Sequence, residues 1–210
     1  MRAPDALAIA DVSHPEREAL ERFIEARFER AFGARVQSHY PLICGLCADD
    51  GTILAAAGVR FAETDSLFLE RYLDAPIEQR VADAFGRPVA RDSIVEIGSL
   101  ASDSPAASLH LFSTLSEWLA STCGRRFAVA TARPDLQRLL GRAGFNLMSL
   151  GHADPIRLGS GVHDWGSYYD REPRVFVGQI GASSVLPGLR QRLRDRTTER
   201  AVRQLRAVTA

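Results

Sequence analysis

The 210-residue chain contains no lysine, and all 26 of its basic residues are arginine. That absence excludes a phosphate-loop lysine, a Schiff-base lysine and a lysine general base. No charge of one sign dominates either, since 26 acidic residues balance those arginines; no general attraction to nucleic acid is expected. Long hydrophobic runs are missing. Nothing approaches the roughly 18 apolar residues of a membrane span, and the opening stretch MRAPDALAIADVSHPE lacks the apolar run of a secretory signal. Cysteine is scarce, at three residues, which argues against a disulfide framework and fits a reducing compartment, so a cytoplasmic location is expected. Cys44 and Cys47 form CGLC, but the context YPLICGLCADDG reads as a strand entering a hairpin, not as a helix N-terminus that lowers a thiol pKa. No second Cys pair or Cys/His cluster completes a zinc site; the pair is read as structural and no metal is expected.

What is present is a regular alternation of elements. SHPEREALERFIEARFERAFG carries Ser13 as N-cap with Glu16 three residues on, a capping box, then Leu20, Phe23, Ile24 and Phe28 at helical spacing and Gly33 as a stop. YPLICGLCA and TILAAAGVRF flank DDG as a hairpin, and an irregular stretch over 66–92 contains a short helix around PIEQRVADAFG. The spacing then predicts a strand (IVEIGSLA), a helix (ASLHLFSTLSEWLAS), a strand (RFAVATA), a helix (DLQRLLGRAG) and two strands (FNLMSL, RVFVGQI), with a further strand in ALAIADV at the start. The expected class is α/β (α+β): a mixed, mostly antiparallel central sheet flanked by helices. Residues 1–185 are read as one domain and 186–210 as an Arg-rich C-terminal helical extension. That extension is either a solvated appendage or a basic surface for an acyl carrier protein or an anionic lipid headgroup.

The element order, with RLLGRAGF closing a late helix-to-strand step, resembles the GNAT acyltransferase superfamily. LFLERYLDAPIE, VEIGSLAS, FAVATARPDLQRLLGRAGF and WGSYYD resemble more particularly the thermostable hemolysin family. A looser similarity, carried by GVRF and VEIGSLA, is to acyl-homoserine-lactone synthases, although Leu100 stands near the place where they carry an arginine. The resemblance implies an N-acyltransferase that moves an acyl group, expected to be fatty, from acyl-CoA or an acyl carrier protein to a small-molecule amine. Ordinary GNAT enzymes cradle the coenzyme A pyrophosphate on a glycine-rich loop; here the corresponding residues are SDSPAAS, which gives weight to a carrier-protein donor. The rival readings are a membrane-active or lipid-binding hemolysin-like protein, resting on the C-terminal helix, and a GNAT fold that binds acyl ligands without catalysis.

Candidate site residues can be placed in that frame. On a strand, Ile94, Glu96, Gly98 and Leu100 share one face, so Glu96 stands in an apolar wall beside a position with room for a ligand. Two readings stay open: a general base with a raised pKa, or a structural carboxylate bonded to Arg60 or Arg71. The strand edge at Gly98, Ser99 and Leu100 is expected to stabilise an oxyanion. Ala101 and Ser102, with the hydroxyls of Ser104 and Ser108 at the following helix N-terminus, are expected to hold the donor. Tyr168 and Tyr169 are candidates to protonate the departing thiolate, with Tyr169 preferred because alternation lets only one face a cleft, or both pack a core rim with Trp165. Trp165, Arg71 and Tyr72 are placed beside the acceptor, though Arg71 has Asp74 as an alternative partner. His152 and Asp154 form either an acid/base pair or a turn cap, His110 and His163 carry less, and no nucleophile elbow is present.

Overall fold

The computed structural model describes residues 7–181. The C-terminal extension over 186–210 expected from the sequence lies outside the described residues, and with it the carrier-protein or lipid contact assigned to that helix. In chain order the elements are β1 (Leu7–Ala10), α1 (Arg17–Phe32), β2 (Leu42–Cys47), β3 (Ile53–Phe61), a 3-10 helix (Phe68–Tyr72), α2 (Ile77–Phe85), β4 (Ile94–Ser102), α3 (Pro105–Ser121), β5 (Phe127–Ala132), α4 (Pro134–Arg142), β6 (Leu147–His152), a 3-10 segment Pro155–Trp165, a short 3-10 helix Tyr168–Arg171 and β7 (Arg174–Gln179). The strands form one sheet in the order β1-β2-β3-β4-β5-β7-β6. Every neighbouring pair is antiparallel except β4 and β5. The mixed, mostly antiparallel sheet anticipated from the sequence is therefore present.

Helices cover both faces. Val95 and Ile97 of β4 pack with Leu111, Leu115 and Leu119 of α3. On the opposite face, Ile94, Phe127 and Val129 meet Leu69, Ile77 and Val81, while Ala56 and Ala101 meet Leu20, Ile24 and Phe28 of α1. α1 starts later than the sequence suggests: Ser13 donates its amide and hydroxyl to the Asp11 carboxylate, and Glu16 takes the cap position without a side-chain cap. Asp11 offers Ser13 a local acceptor two residues away, and that turn wins over the capping box. The helix does end at Gly33, whose left-handed φ of 65° lets its own N–H reach the Glu29 carbonyl and the following Ala34 N–H reach the Phe28 carbonyl.

Two details set the shape of β4 and its surroundings. Against β3, Ala56 pairs with Ala101 and Gly58 with Gly98, so Ser99 and Leu100 together oppose Ala57 in a bulge, with Ser99 at a φ of 48°. The bulge reverses the alternation: Leu100 packs toward the α3 core and Ala101 toward α1, so Leu100 does not share the face of Glu96 as strict alternation predicts. The segment between β3 and β4 is pinned by Glu70, which accepts from the amides of Leu67 and Ile77 and pairs with Arg91 at 2.7 Å. Burial pushes the Glu70 carboxyl up, but the Arg91 and amide hydrogen bonds outweigh it and hold its pKa at about 2.

Candidate active site

β4 and β5 pair only from Ile94 and Phe127 to Glu96 and Val129; beyond that point the strands continue but diverge from the ladder. A cavity of about 770 Å³ opens along this divergence. One end is walled by the β4–α3 turn and α4, the other by side chains of α1, Phe68, Tyr72, Trp165, Tyr168 and Tyr169.

Glu96 lies behind the cavity wall, only 1% exposed. Its carboxylate accepts the backbone N–H groups of Phe68 at 2.9 Å and Leu69 at 3.0 Å, so it grips the start of the inserted 3-10 helix. Both expected arginine partners bond elsewhere: Arg60, opposite Glu96 in the β3–β4 register, donates to the Ser66 carbonyl, and exposed Arg71 lies over the Phe68 ring. Burial pushes the Glu96 carboxyl up, against the pull of the two amides, the Arg60 charge and the Tyr40 hydroxyl.

Tyr40 joins Glu96 to the cavity, and sequence reasoning missed it. Its ring fills the slot left where Gly58 and Gly98 pair: a methyl on Gly98 would fall 2.0 Å from the Tyr40 hydroxyl oxygen, and one on Gly58 would fall 2.3 Å from the ring. Gly98 therefore makes room for Tyr40, and it also lines the cavity. The hydroxyl interacts with Glu96 while the side chain lines the cavity. Burial, then the Glu96 charge, raises the Tyr40 pKa well above the ordinary phenol value, so the group is a neutral phenol. Buried Arg17 fixes the backbone here, donating to the carbonyls of Tyr40 at 2.7 Å and Pro41 at 2.9 Å. A signal existed in the sequence, two glycines at matched places on neighbouring strands with a tyrosine just before the hairpin, but it needs the strand register to be read.

Tyr168 and Tyr169 both line the cavity, against the expectation that only one can. They begin a short 3-10 helix rather than a strand, so period-two alternation does not apply. The Tyr168 hydroxyl donates to the Thr131 carbonyl on β5 at 3.3 Å, and the Tyr169 hydroxyl shares a short hydrogen bond with that of Tyr72. Burial raises the pKa of all three phenols. Trp165 packs edge-on against Tyr169 and Phe28. The WGSYY turn is seated on the end of α1 because Gly166, at a φ of 50°, lies where a methyl group would meet the Phe32 carbonyl oxygen at 2.0 Å. Tyr72 and Trp165 thus reach the cavity, whereas Arg71 does not line it. Asp74 pairs with Arg157 instead of Arg71.

At the other end, Ser99, Leu100, Ala101, Ser102, Ser104 and Ser108 all line the cavity. Their polar groups are largely engaged with one another. The Ser104 hydroxyl caps the Ala107 amide at 3.2 Å, its carbonyl takes the Ser108 amide, and the Ser102 and Ser108 hydroxyls are 2.6 Å apart. Pro105 has no N–H to offer, which leaves the Ala106 amide among the first three helical positions. His152, Asp154, His110 and His163 do not line the cavity; Asp154 caps the Ile156 amide. His39 does line it, bonded to Glu25 at 2.8 Å. Cys44 sits in the core, where burial pushes its thiol up to about 12, away from nucleophilic use. Among the described residues no group of three or more His, Cys, Asp or Glu is placed to hold a metal, and no helix is long and apolar enough to cross a membrane.

A mixed sheet that parts between β4 and β5 over a deep cavity is the architecture of the GNAT fold. Solved structures with this fold include the acyl-homoserine-lactone synthase LasI (11% identity, TM-score 0.59, covering 89% of this chain and 96% of that one). They also include FeeM, an N-acyl amino acid synthase from uncultured soil microbes (13%, 0.57, 85% and 92%), and an agmatine N-acetyltransferase (16%, 0.51, 83% and 98%). Residues 10–184 match the model of the thermostable hemolysin family, and the chain belongs to that family. A search of the curated proteins finds no match.

Proposed function

We propose that this protein is an N-acyltransferase that moves an acyl group, expected to be fatty, from a thioester to a small amine in the cleft between β4 and β5. The observation that carries the reading is the continuous cavity running from the diverging strands to an aromatic chamber, with the Tyr40–Glu96 pair beside Gly98. The acyltransferases named among the structural neighbours support the same class of reaction.

In this reading the donor thioester lies along β4, between the bulge at Ser99 and α4. The amine enters from the aromatic end. Its ammonium passes a proton to the Tyr40 oxygen as Tyr40 passes its own to the Glu96 carboxylate, which leaves Tyr40 a neutral phenol and Glu96 a carboxylic acid. A carboxylate with a raised pKa suits that role. The freed nitrogen attacks the thioester carbonyl, the carbon–sulfur bond breaks, the thiolate takes a proton from a phenol, and the nitrogen gives its second proton back to that phenolate. This leaves the amide, the thiol and the neutral phenol, with the first proton on Glu96 to be released to water. Of the two tyrosines expected there, Tyr168 is favoured because its hydroxyl lies on β5 at Thr131, while Tyr169 is tied to Tyr72.

The start of α3 favours a carrier protein over coenzyme A. With Pro105 lacking an N–H and the Ala107 and Ser108 amides already bonded, few free amides remain for a pyrophosphate. Ser102, Ser104 and Ser108 then serve as a wall for the pantetheine arm. Such an enzyme would work in the cytoplasm, where thioester donors are made. The test is thermal unfolding with coenzyme A, octanoyl-CoA and an octanoyl carrier protein, followed by thiol release with an amine panel. A ligand at a hundred times its dissociation constant stabilises the fold by about 2.7 kcal/mol. Stabilisation by an octanoyl thioester supports the reading; no shift with either, and no thiol release with any amine, removes it.

A further inference from the structure

We infer that the acceptor is an amine bearing a carboxylate close to its nitrogen and a bulky apolar or aromatic side chain, as an α-amino acid does. This inference rests on the acyltransferase reading above and names the acceptor class for that site.

The charges around the cavity select against a second cation on the acceptor. Two aspartates line it, and both are spoken for: Asp103 is paired with Arg27, and Asp135 with Arg133 at 3.0 Å. Glu96 is buried behind Tyr40 and already accepts two amides. A polyamine or guanidino amine brings a further positive charge, and no carboxylate lining the cavity is left to receive it.

Arg60 has the opposite character. It lines the cavity, half-buried, with its guanidinium 5.2 Å from the centroid of the Tyr40 ring. It spends one nitrogen on the Ser66 carbonyl at 3.2 Å, and its Nε is buried without a hydrogen-bond partner. A guanidinium with unspent donors in a partly desolvated wall is a carboxylate site, because charge-assisted hydrogen bonds to it are worth more than those water supplied. Arg60 stacks on the ring whose hydroxyl takes the ammonium proton, so the two charged groups of the acceptor must lie within a few bonds of each other. That spacing is met when both sit on one carbon. The remaining surface is aromatic: Phe28, Phe32, Phe68, Trp165 and Tyr169 form a chamber that takes an apolar side chain.

The test measures binding of three products made from octanoic acid: N-octanoyl-L-phenylalanine, N-octanoylphenethylamine, which lacks only the carboxylate, and N-octanoylagmatine. Isothermal titration on the full chain is expected to rank the amino-acid product first, about ten- to a hundred-fold tighter than the phenethylamide. In Arg60→Gln that gap is expected to shrink to within about three-fold, and in Arg60→Lys to recover in part. If Arg60→Gln fails to fold, the ranking in the wild type and in Arg60→Lys decides alone. Equal binding of the first two, or tightest binding of the agmatine product, overturns the acceptor class while leaving acyl transfer standing. Binding of none, with no stabilisation by octanoyl thioesters, overturns both.

Discussion

Two carboxylates hold the segment between β3 and β4, one from within it and one from β4, and they are built differently. Glu70 accepts two backbone amides and also an arginine, and its pKa falls to about 2. Glu96 is far more deeply buried, accepts two backbone amides and bonds no arginine, and burial raises its pKa. Both grip the same 3-10 helix, so amide bonding alone does not set the difference. A bonded cation turns one carboxylate into a permanent anchor. Deep burial without a bonded cation leaves the other able to change protonation state, and of the two only Glu96 touches a cavity-lining tyrosine.

The sharpest way to break this contrast is Glu96→Gln. It keeps the shape and one acceptor oxygen but cannot take a proton, so thiol release with an amine should fall by about a hundred- to ten-thousand-fold. Each Glu96 oxygen accepts one amide, so the Gln NH2 leaves one of those N–H groups unpaired and stability should also fall, by about 1–3 kcal/mol; unchanged turnover per folded molecule would remove Glu96 as the proton acceptor. Tyr40→Phe should reduce turnover somewhat less, about ten- to a hundred-fold, because water can replace a hydroxyl in the relay. Gly98→Ala should mimic it by expelling the Tyr40 hydroxyl, whereas an alanine with full activity would show that Tyr40 is dispensable.

The Glu70 side should show the reverse pattern. Arg91→Ala leaves Glu70 without its cation and should cost about 2–3 kcal/mol in denaturant unfolding, discounted for partial exposure, with catalysis per folded molecule kept. A smaller effect is expected with pH. Because the Glu70 pKa is depressed in the folded state, its contribution is present above the ordinary 4.5 and is lost as pH falls toward about 2. For Glu96 the folded pKa is raised, so the native state binds the extra proton in a window starting at 4.5, and stability falls as pH rises through it. Glu70→Gln should flatten the acid limb and Glu96→Gln the higher one; equal slopes in wild type and both variants would show that neither shift is coupled to folding.

Local pattern made the order of strands and helices legible, including β1 and the helix within the inserted segment, because apolar spacing and stop signals such as Gly33 act over a few residues. It failed where a competing local bond existed, as with Ser13 and Asp11, and where a bulge broke the alternation, as at Leu100. The site was legible in part. Glu96, Tyr168, Tyr169, Arg71, Tyr72, Trp165 and the serines of the β4–α3 turn were singled out, and all but Glu96 and Arg71 reach the cavity wall. Arg60 was named only as a possible partner of Glu96 and Tyr40 not at all, since the meeting of the three depends on β2, β3 and β4 lying side by side in one register.

The sequence by itself determined which stretches become strands and helices, the absence of lysine chemistry and the presence of one carboxylate in an apolar strand. Only the tertiary structure decided what that carboxylate touches. Whether Glu96 meets an arginine, an amide or a phenol depends on which distant backbone arrives beside it. That is set by sheet register and by the packing of an inserted helix, neither of which is written in the spacing of residues along one strand.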